Sequence, residues 1–378
     1  KPAYQQEDIS NVEKFKTLSD IKHIPLLKKK ELIFLQSIGP RLGGLLTKDI
    51  GELKRIFLSP GPIFDPEDRM DDYWGYTEAF YSVGFRPGDV VQVTFNYHLS
   101  PAGLMFEEPL RNLGCASIPA GPTDPGTQLD IMQKLRVSGY VGTASYLMHL
   151  AQKAEEKGIN LRKDLFQEVA FVTGERLSEK MRNQLEKKFD IILRQGYGTA
   201  DVGCIGYECF HKTGLHISNR CYVEICHPDT GIPLKDGEVG EIVVTSFNKT
   251  YPLIRLATGD LSYIDRAPCA CGRTSPRLGS IVGRVDTTAR IKGMFVYPHQ
   301  VEQVMARFED IKRWQIEVIN PGGIDEMILY VEASNFHQED ELLHLFRERI
   351  KLRPELKVLA PGTLPPQIKP IEDKREWD

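Results

Sequence analysis

Residues 168–201 read EVAFVTGERLSEKMRNQLEKKFDIILRQGYGTAD, and their pattern decides the fold. The apolar run at 168–173 predicts a buried strand, and Ser178 predicts the N-cap of an amphipathic helix that continues to Phe189. A second strand is predicted from Asp190 onward. A strand, a helix and a strand in this order indicate a βαβ unit with parallel strands. Because ligands bind beyond the carboxyl ends of such strands, we expect the chemistry in the loops that follow them.

The same alternation extends from this unit toward the N-terminus. Strands and helices are predicted in turn at 90–95, 103–113, 116–119, 127–136, 140–143 and 145–157. A further helix is predicted at 70–83, and the prolines and glycine of 59–62 predict a loop. These elements indicate a domain built on a mainly parallel sheet with flanking helices.

Toward the C-terminus the pattern changes twice. From about residue 217 short strands alternate with turns, and after Gly283 a smaller segment begins that mixes helices with strands. The elements of this segment are predicted at 298–308, 314–319, 327–333, 339–350 and near Val358. The predicted fold class is therefore α/β. It comprises a large N-terminal domain over 1–284, with a β-rich part at about 204–282, and a small α+β C-terminal domain over 285–378.

Composition and charge exclude several functional classes. The chain has 378 residues, of which 41% are hydrophobic and 26% charged, and its formal net charge is −4. This balance gives no basis for binding nucleic acid or a membrane surface. No run of 18 apolar residues occurs, so no transmembrane helix is predicted, and the charged residues of 1–30 predict no secretory signal. We therefore expect a cytoplasmic protein.

Cysteine and histidine residues cluster in the predicted β-rich part. The turn CACG at 269–272 offers the thiolates of Cys269 and Cys271, and Cys209 and His216 flank a turn upstream. Three thiolates and one imidazole form the closed tetrahedral ligand set of a structural zinc site. Two further residues remain alternative ligands, Cys204 and His211. Buried free thiols without a metal are the other interpretation.

Three glycine-rich motifs are predicted in loops. The first, FVTGER at 171–176, ends a strand in Gly174 and Glu175, and its turn can let a planar ring lie on the backbone. The second, QGYGTAD at 195–201, offers an aromatic ring for adenine, a hydroxyl for phosphate and a carboxylate for Mg²⁺. The third, RLATGD at 255–260, ends in a carboxylate that can accept both hydroxyls of a ribose. Each motif alone also fits an ordinary turn.

In this order the three motifs resemble those of the adenylate-forming enzymes, and in particular the phenylacetate–CoA ligase-like branch. GRVD at 283–286 followed by KGMFVYP at 292–298 is similar to the domain-junction signature of that branch. GLHI at 214–217 also fits the branch, and CACGRT at 269–274 resembles its zinc-carrying members. The resemblance runs from about residue 20 to the C-terminus, and it implies a further stretch before Lys1.

The resemblance implies two half-reactions in one site. A carboxylate attacks the α-phosphate of ATP to give an acyl-adenylate and pyrophosphate, and the thiol of CoA then displaces AMP. The small C-terminal domain is implied to be a mobile lid whose rotation separates the two steps. The implied cofactors are ATP or AMP, Mg²⁺, coenzyme A and a structural Zn²⁺.

By position, the resemblance also implies a role for each motif residue. The implied nucleotide-binding residues are Gly174, Glu175, Tyr197, Gly198, Thr199, Asp260 and Arg284. Thr199 and Asp201 are implied to be catalytic, because Thr199 would contact the phosphate and Asp201 would hold Mg²⁺. Asp286 would be the hinge of the lid, and Gly293 would pass close to the pantetheine of CoA.

Two stretches depart from the family pattern. The family's Ser/Thr/Gly-rich phosphate loop, which ends in Gly-Lys, corresponds here to RIFLSPGPI at 55–63. Two prolines in this stretch lack an N–H group, and the lysine is absent. The catalytic lysine of the lid normally follows Pro-Arg-x-x-Gly, and here Lys369 lies one residue out of step in GTLPPQIK at 362–369. Lys374 is the alternative catalytic lysine.

The predicted function combines these observations. Tyr97 and Tyr146 follow predicted strands and could wall an aryl-sized acid pocket, although packing under the sheet explains them equally well. We expect an AMP-forming ligase that activates a carboxylic acid, aryl and phenylacetate-like, and transfers it to CoA. The alternative is a catalytically impaired relative that binds nucleotide, CoA or an acyl ligand in a regulatory or partner-subunit role. The expected partners are the small-molecule acid and CoA, and a homodimer is a further expectation.

Overall fold

The computed structural model describes residues 16–291, 294–321, 326–334 and 336–375. The chain forms two compact units. The first comprises the chain through Thr258 together with Tyr263–Ser280, and the second comprises Gly259–Ser262 together with Ile281–Asp378. The chain therefore passes between the units at three points.

The helices alternate with strands along most of the chain. The α-helices of the first unit are α1 (Lys29–Ile38), α2 (Thr77–Val83), α3 (Ala102–Asn112), α4 (Pro125–Lys134), α5 (Ala144–Glu156) and α6 (Glu179–Phe189). Those of the second unit are α7 (Pro298–Met305) and α8 (Glu339–Ile350).

The strands are short in both units. The strands that begin in the first unit are β1 (Leu27–Lys28), β2 (Arg55–Ser59), β3 (Ile63–Glu67), β4 (Val90–Val93), β5 (Ala116–Pro119), β6 (Gly139–Gly142), β7 (Val169–Val172), β8 (Ile192–Thr199), β9 (Gly203–Glu208), β10 (Leu215–Ile217), β11 (Cys221–Cys226), β12 (Gly240–Ser246), β13 (Leu256–Ser262), β14 (Ile264–Asp265) and β15 (Arg277–Leu278). Those of the second unit are β16 (Gly283–Arg284), β17 (Ala289–Ile291), β18 (Met294–Val296), β19 (Arg313–Ile319), β20 (Glu326–Glu332), β21 (Glu355–Leu359) and β22 (Ile371–Asp373).

Nine strands of the first unit form one mixed sheet, in the order β14-β15-β10-β9-β8-β7-β6-β4-β5. The strands from β8 to β5 pair in parallel, whereas β8, β9, β10, β15 and β14 pair antiparallel. β6 and β7 are buried along their whole length, as expected for parallel strands that are covered on both faces. The predicted parallel sheet is therefore present, but it makes up only about half of the nine strands.

The βαβ unit at 168–201 forms as its local sequence predicts. The Ser178 hydroxyl accepts a hydrogen bond from the Met181 backbone N–H at 3.2 Å, which caps the N-terminus of α6. Asp190 ends the helix in the left-handed conformation, with φ of 63°. Asp and Asn reach this conformation more readily than most residues, so the chain can turn directly into β8.

The helix predicted at 70–83 is wrong in its first half, because α2 begins only at Thr77. Asp72 and Gly75 adopt positive φ angles of 49° and 73°, which a right-handed helix does not contain. The Asp72 carboxylate then accepts hydrogen bonds from the backbone N–H groups of Tyr76 and Thr77. The spacing of the aromatic residues predicts a helix that begins at Met70, but because of this local turn the helix begins only at Thr77.

Two motifs that were predicted in loops belong to strands. Residues 195–199 form the second half of β8, and residues 256–260 lie within β13. The reason is pairing with distant partners: Gly196 and Tyr197 pair with residues of β9, and Leu256 and Ala257 pair with β1. The glycine content alone predicts turns, but these pairings hold the residues in an extended conformation.

The core of the first unit has an aromatic cluster on one side of the sheet. Tyr76, Phe80 and Phe106 surround Phe171 of β7, with ring centroids between 5.0 and 6.2 Å from it. A second cluster is built from buried aliphatic residues of α4, α5 and α6. These two layers hold the ends of β7 and β8 in place.

The second unit has its own four-stranded sheet, in the order β21-β20-β19-β22. β19 and β20 pair antiparallel, and the two outer strands pair in parallel with their neighbours. α7 and α8 contribute buried Val301, Phe346 and Ile350 to one continuous core with this sheet. The helix predicted at 339–350 is α8, and the two strands predicted at 314–319 and 327–333 differ from β19 and β20 by one residue at their ends.

Candidate active site

The first motif places Gly174 and Glu175 directly after β7. Gly174 has a φ of 84°, and a side chain there would approach the Phe95 ring and the Thr143 methyl group. The Glu175 carboxylate accepts hydrogen bonds from the Ser145 backbone N–H at 2.6 Å and the Ser145 hydroxyl at 2.8 Å. Glu175 thus neutralises the N-terminal end of α5 and fixes the turn that was predicted to carry adenine.

The second motif brings Tyr197, Gly198 and Thr199 to the end of β8. The register between β8 and β9 shifts between Tyr197 and Gly198, which marks a β-bulge. The Thr199 hydroxyl accepts a hydrogen bond from the Val202 backbone N–H at 3.3 Å, so it stabilises the turn that leads to Asp201. Bulges often redirect side chains beside functional sites, and the extra residue of this one, Ile205, lies in β9 opposite Tyr197 and Gly198.

Gly198 is packed so closely that it accepts no larger residue. A Cβ atom there would lie 2.2 Å from the Tyr76 hydroxyl oxygen and 2.3 Å from the Gly203 carbonyl oxygen. We expect Gly198→Ala to lower the free energy of unfolding by about 1–3 kcal/mol, because the backbone of β9 must shift. Urea unfolding measures this loss. Gly51→Ala is the control, since a Cβ at Gly51 meets no atom within 4 Å; equal losses in both variants would contradict the packing argument.

Asp201 and Asp65 form a pair of buried carboxylates. Lys29 at the first position of α1 places its Nζ 2.7 Å from Asp201 Oδ2. Asp201 Oδ1 and both oxygens of Asp65 are buried and have no hydrogen-bond partner among the described residues. Burial, and then the nearby Asp201 carboxylate, raise the pKa of Asp65 to about 8. Sequence reasoning missed Lys29 and Asp65, because Lys29 is 172 residues from Asp201 and no motif contains either residue.

The stretch that replaces the phosphate loop is a tight β-hairpin. β2 and β3 pair through Ser59 and Ile63, and only residues 60–62 form the turn. Pro60 and Pro62 have no N–H group, so Gly61 provides the only backbone donor of this turn. The turn therefore offers a phosphate fewer donors than a glycine-rich loop does.

In the second unit, three predicted residues form one charged cluster. Asp260 of β13 pairs with Arg284 of β16 in the strand register, and Arg284 Nη1 lies 2.9 Å from Asp260 Oδ1. Arg284 Nε lies 3.0 Å from Asp286 Oδ1. In the sequence, these residues are only members of two separate motifs. The pairing of β13 with β16 explains how the predicted nucleotide-binding residues Asp260 and Arg284 come close to the predicted hinge residue Asp286.

The two candidate lysines of the second unit have different surroundings. Lys374 Nζ pairs with Glu317 at 2.7 Å and Glu372 at 3.6 Å, and the hydrogen bond that its ammonium donates to the Glu317 carboxylate raises the pKa of Lys374. Lys369 is exposed, and its ammonium forms no ion pair within the described residues. Its backbone carbonyl accepts a hydrogen bond from Gln315 Nε2 at 3.2 Å, so the backbone is held while the side chain is accessible. Gly293, the predicted CoA-binding residue, lies outside the described residues.

Tyr97 and Tyr146 lie against different parts of the core. Tyr97 packs against the aromatic cluster, where its ring occupies the space that a Cβ at Gly103 would need. Tyr146 packs against the helical cluster and donates its hydroxyl hydrogen to the Thr123 carbonyl at 2.8 Å. These contacts correspond to the packing interpretation, and the role of both residues in an acid pocket stays a prediction.

The four predicted zinc ligands converge in the first unit. The ligand atoms of Cys209, His216, Cys269 and Cys271 all lie within 4.8 Å of one another. Cys209 follows β9, His216 lies in β10, and the other two flank a turn in which the Gly272 N–H donates to the Cys269 carbonyl at 3.0 Å. Two turns that are about 55 residues apart in sequence thus meet.

The spacing of these atoms suits a tetrahedral zinc ion. Cys209 Sγ and Cys269 Sγ are 3.7 Å apart, and a zinc–sulfur bond of about 2.3 Å gives a tetrahedral edge of about 3.8 Å. Cys271 Sγ lies 3.3 Å from His216 Nε2, and His216 Nδ1 lies 3.3 Å from the Ser275 hydroxyl oxygen. Such a second contact orients the imidazole so that Nε2 faces the site.

The surroundings of Cys269 favour its thiolate, whereas burial raises the pKa of the Cys209 thiol to about 11. Burial raises the pKa of the Cys269 thiol, but hydrogen bonds from the Cys271 backbone and side chain, Thr213 and His216 outweigh it and lower the pKa to about 5. Metal binding requires the deprotonated form of cysteine. The alternative ligands are not part of this group: Cys204 is buried in the aromatic cluster, and the His211 ring packs on Phe210 with a centroid distance of 4.3 Å.

Known proteins resemble the chain over most of its length. An AMP-binding enzyme family model matches residues 74–249, and a model of the AMP-binding enzyme C-terminal domain matches residues 293–375. A phenylacetate-coenzyme A ligase of Thermus thermophilus is 30% identical over 93% of this chain and 84% of its own length. The chain belongs to the AMP-binding enzymes.

Other relatives of this AMP-binding enzyme agree. A phenylacetate-coenzyme A ligase of Escherichia coli is 26% identical over 93% of this chain and 84% of its own length. The crystal structure of an open conformation of 2-hydroxyisobutyryl-CoA ligase, in complex with 2-HIB-AMP and CoA, superposes with a TM-score of 0.85. It covers 99% of this chain and 87% of that one at 22% identity, so it shows the fold.

Two expectations are confirmed by these comparisons: the α/β fold class with a large N-terminal and a smaller C-terminal domain, and the enzyme class of AMP-forming acid–thiol ligases. None of the helices in the described part of the chain combines the length and apolarity that crossing a bilayer would require. The roles of the individual site residues and the 284/285 domain boundary stay predictions.

Proposed function

We propose that this AMP-binding enzyme is an acid–CoA ligase that converts a phenylacetate-like aryl acid into its CoA thioester through an acyl-adenylate. The observation that carries the proposal is the similarity over 93% of the chain to a phenylacetate-coenzyme A ligase. The three glycine-rich motifs are compatible with it, because hydrogen bonds of Glu175 and Thr199 hold two of their turns and Asp260 lies in a strand pair. Both half-reactions need charge neutralisation and positioning rather than a protein nucleophile.

The residues of the first unit would act on the nucleotide. Gly174, held by the turn that Glu175 fixes, and Tyr197 would form the adenine surface, and Thr199 would contact the α-phosphate. Asp201 would hold Mg²⁺, a fit that its buried and unpartnered Oδ1 supports. The ion would supply positive charge to the phosphates of ATP.

The residues of the second unit would bind ribose and serve the two steps of the reaction. Asp260 would accept the ribose hydroxyls, and Arg284 holds that carboxylate in place at 2.9 Å. We propose Asp286 as the hinge of a lid over 285–378, Lys369 as the residue that neutralises the reacting phosphate, and Gly293 as a contact of CoA. The distinct surroundings of Lys369 and Lys374 favour the former for this role.

A structural Zn²⁺ would occupy the cluster of Cys209, His216, Cys269 and Cys271. Four protein ligands leave no position for water, so the ion would join the two turns and would not act in the reaction. All seven cysteines are free thiols, a form that reducing compartments maintain, and a cytoplasmic location is proposed on that ground. A homodimer stays a prediction.

Pyrophosphate release in the presence of ATP, Mg²⁺ and a panel of acids tests the proposed function. We expect release with phenylacetate and related aryl acids, followed by formation of the thioester when CoA is added. Short aliphatic acids serve as the control for the aryl preference. Nucleotide binding without turnover of any acid would contradict the proposal and favour the catalytically impaired alternative.

A further inference from the structure

The hairpin at 55–67 contains no lysine that could neutralise the phosphates of ATP. Adenylate formation separates pyrophosphate from the α-phosphate, and this leaving group carries several negative charges. The turn at 60–62 contains no lysine and has one backbone donor, at Gly61. If the proposed function is correct, a cation from another part of the chain would join Mg²⁺ in neutralising the β- and γ-phosphates.

α1 brings such a cation to the second motif. Lys29, its first residue, pairs with Asp201 Oδ2 at 2.7 Å. The Asp201 side chain is only 1% exposed, whereas that of Lys29 is 32% exposed. The partly exposed Lys29 side chain therefore pairs with a buried carboxylate and is also accessible to a bound anion.

The same helix is fixed to the hairpin. Gln36 Nε2 donates a hydrogen bond to the Phe64 carbonyl at 2.9 Å, and the Phe64 N–H donates to Gln36 Oε1 at 2.8 Å. The preceding strand β1 pairs in parallel with β13 through Leu27 and Leu256. α1 thus contacts the hairpin at 55–67 through Gln36 and, at its N-terminus, the carboxylate that is proposed to hold Mg²⁺ through Lys29.

We propose that Lys29 binds the β- and γ-phosphates of ATP and replaces the lysine that the hairpin at 55–67 lacks. This inference rests on the proposed function. Asp201 holds the ammonium group in position when no nucleotide is bound. A divalent cation on Asp201 compensates the charge of that carboxylate, which leaves Lys29 to pair with the phosphates beside it. Lysine suits this role because its compact charge on a flexible stem follows the phosphates.

Binding of two nucleotides that differ only beyond the α-phosphate tests the role of Lys29. Calorimetric titrations would use AMP, α,β-methylene-ATP and inorganic pyrophosphate, each with Mg²⁺. In Lys29→Met we expect the affinity for α,β-methylene-ATP and pyrophosphate to fall about 10- to 100-fold, since a charge-assisted contact is lost. The affinity for AMP should change by less than about twofold.

Two further variants make the test specific. Lys29→Arg keeps the charge and should restore most of the affinity for pyrophosphate. Lys30→Met removes the exposed neighbouring lysine of the same helix and should leave all three affinities unchanged. Thermal unfolding of each variant shows whether the unpaired Asp201 destabilises the fold.

The outcomes separate this inference from the proposed function. Equal losses for AMP and the ATP analogue, or a lower melting temperature with unchanged affinities, would overturn the role of Lys29 and leave a structural ion pair. The proposed function would then stand. A wild-type protein that binds neither nucleotide would overturn the proposed function and this inference together.

Discussion

Lys369→Ala is expected to lower the rate of acyl-adenylate formation by about 10²- to 10³-fold, because it removes a charge that stabilises the reacting phosphate. The backbone carbonyl of Lys369 bonds to Gln315, and the side chain is exposed, so the substitution should leave the fold intact. Pyrophosphate release in a single turnover measures the first step. Thioester formation from a synthetic acyl-adenylate and CoA measures the second, and we expect it to change less than about threefold.

Lys374→Ala is the matched control for this variant. Its ammonium pairs with Glu317 and Glu372, so its loss removes a surface ion pair worth at most about 1 kcal/mol. Adenylation should continue at close to the wild-type rate. A large loss in Lys374→Ala together with an active Lys369→Ala would reverse the assignment, and equal losses in both half-reactions would contradict a role confined to adenylation.

Cys269→Ser is expected to reduce the zinc content from one ion per chain to none. The thiolate of Cys269 lies at the centre of the hydrogen bonds that lower its pKa, and serine supplies no comparable ligand. Because the proposed metal would join two turns of the antiparallel half of the sheet, its loss should lower the free energy of unfolding by about 4 kcal/mol or more. Metal analysis by mass spectrometry and urea unfolding measure the two effects.

Cys115→Ser provides the matched control for the zinc site. Cys115 lies outside the cluster and donates a hydrogen bond to the Arg86 carbonyl at 3.3 Å, which serine can also donate. We expect this variant to keep its zinc. Wild-type protein without zinc, or a zinc content that Cys269→Ser leaves unchanged, would contradict the site.

The hairpin at 55–67 and the zinc cluster show what could be predicted from local sequence. The breaker residues of 59–62 predicted a turn, which forms between β2 and β3. The spacing of Cys269 and Cys271 predicted the tight turn that places both thiols on one side. In both cases a few neighbouring residues are enough for the prediction, because proline restricts the backbone angle φ and glycine allows a wider range of it.

The candidate nucleotide site has features that local sequence could not predict. The residues of 195–201 were predicted as a loop, but 195–199 extend β8 because β9 supplies hydrogen-bond partners. The acidic pair of Asp65 and Asp201 was not foreseen, since each carboxylate alone looks like an ordinary turn or strand residue. The pattern of neighbouring residues does not show which side chains from distant parts of the sequence become buried next to one another.

The sequence by itself therefore predicted the alternation of strands and helices, the N-cap at Ser178 and the tight turn that contains Cys269 and Cys271, all of which follow from short-range periodicity and backbone preferences. The tertiary structure decided that Lys29 meets Asp201, that Asp260 pairs with Arg284, and that Lys374 pairs with Glu317 whereas Lys369 forms no ion pair within the described residues. Ion pairs of this kind depend on distances between residues that are far apart in sequence. Strand register and burial set those distances, and both arise only when the whole sheet has assembled.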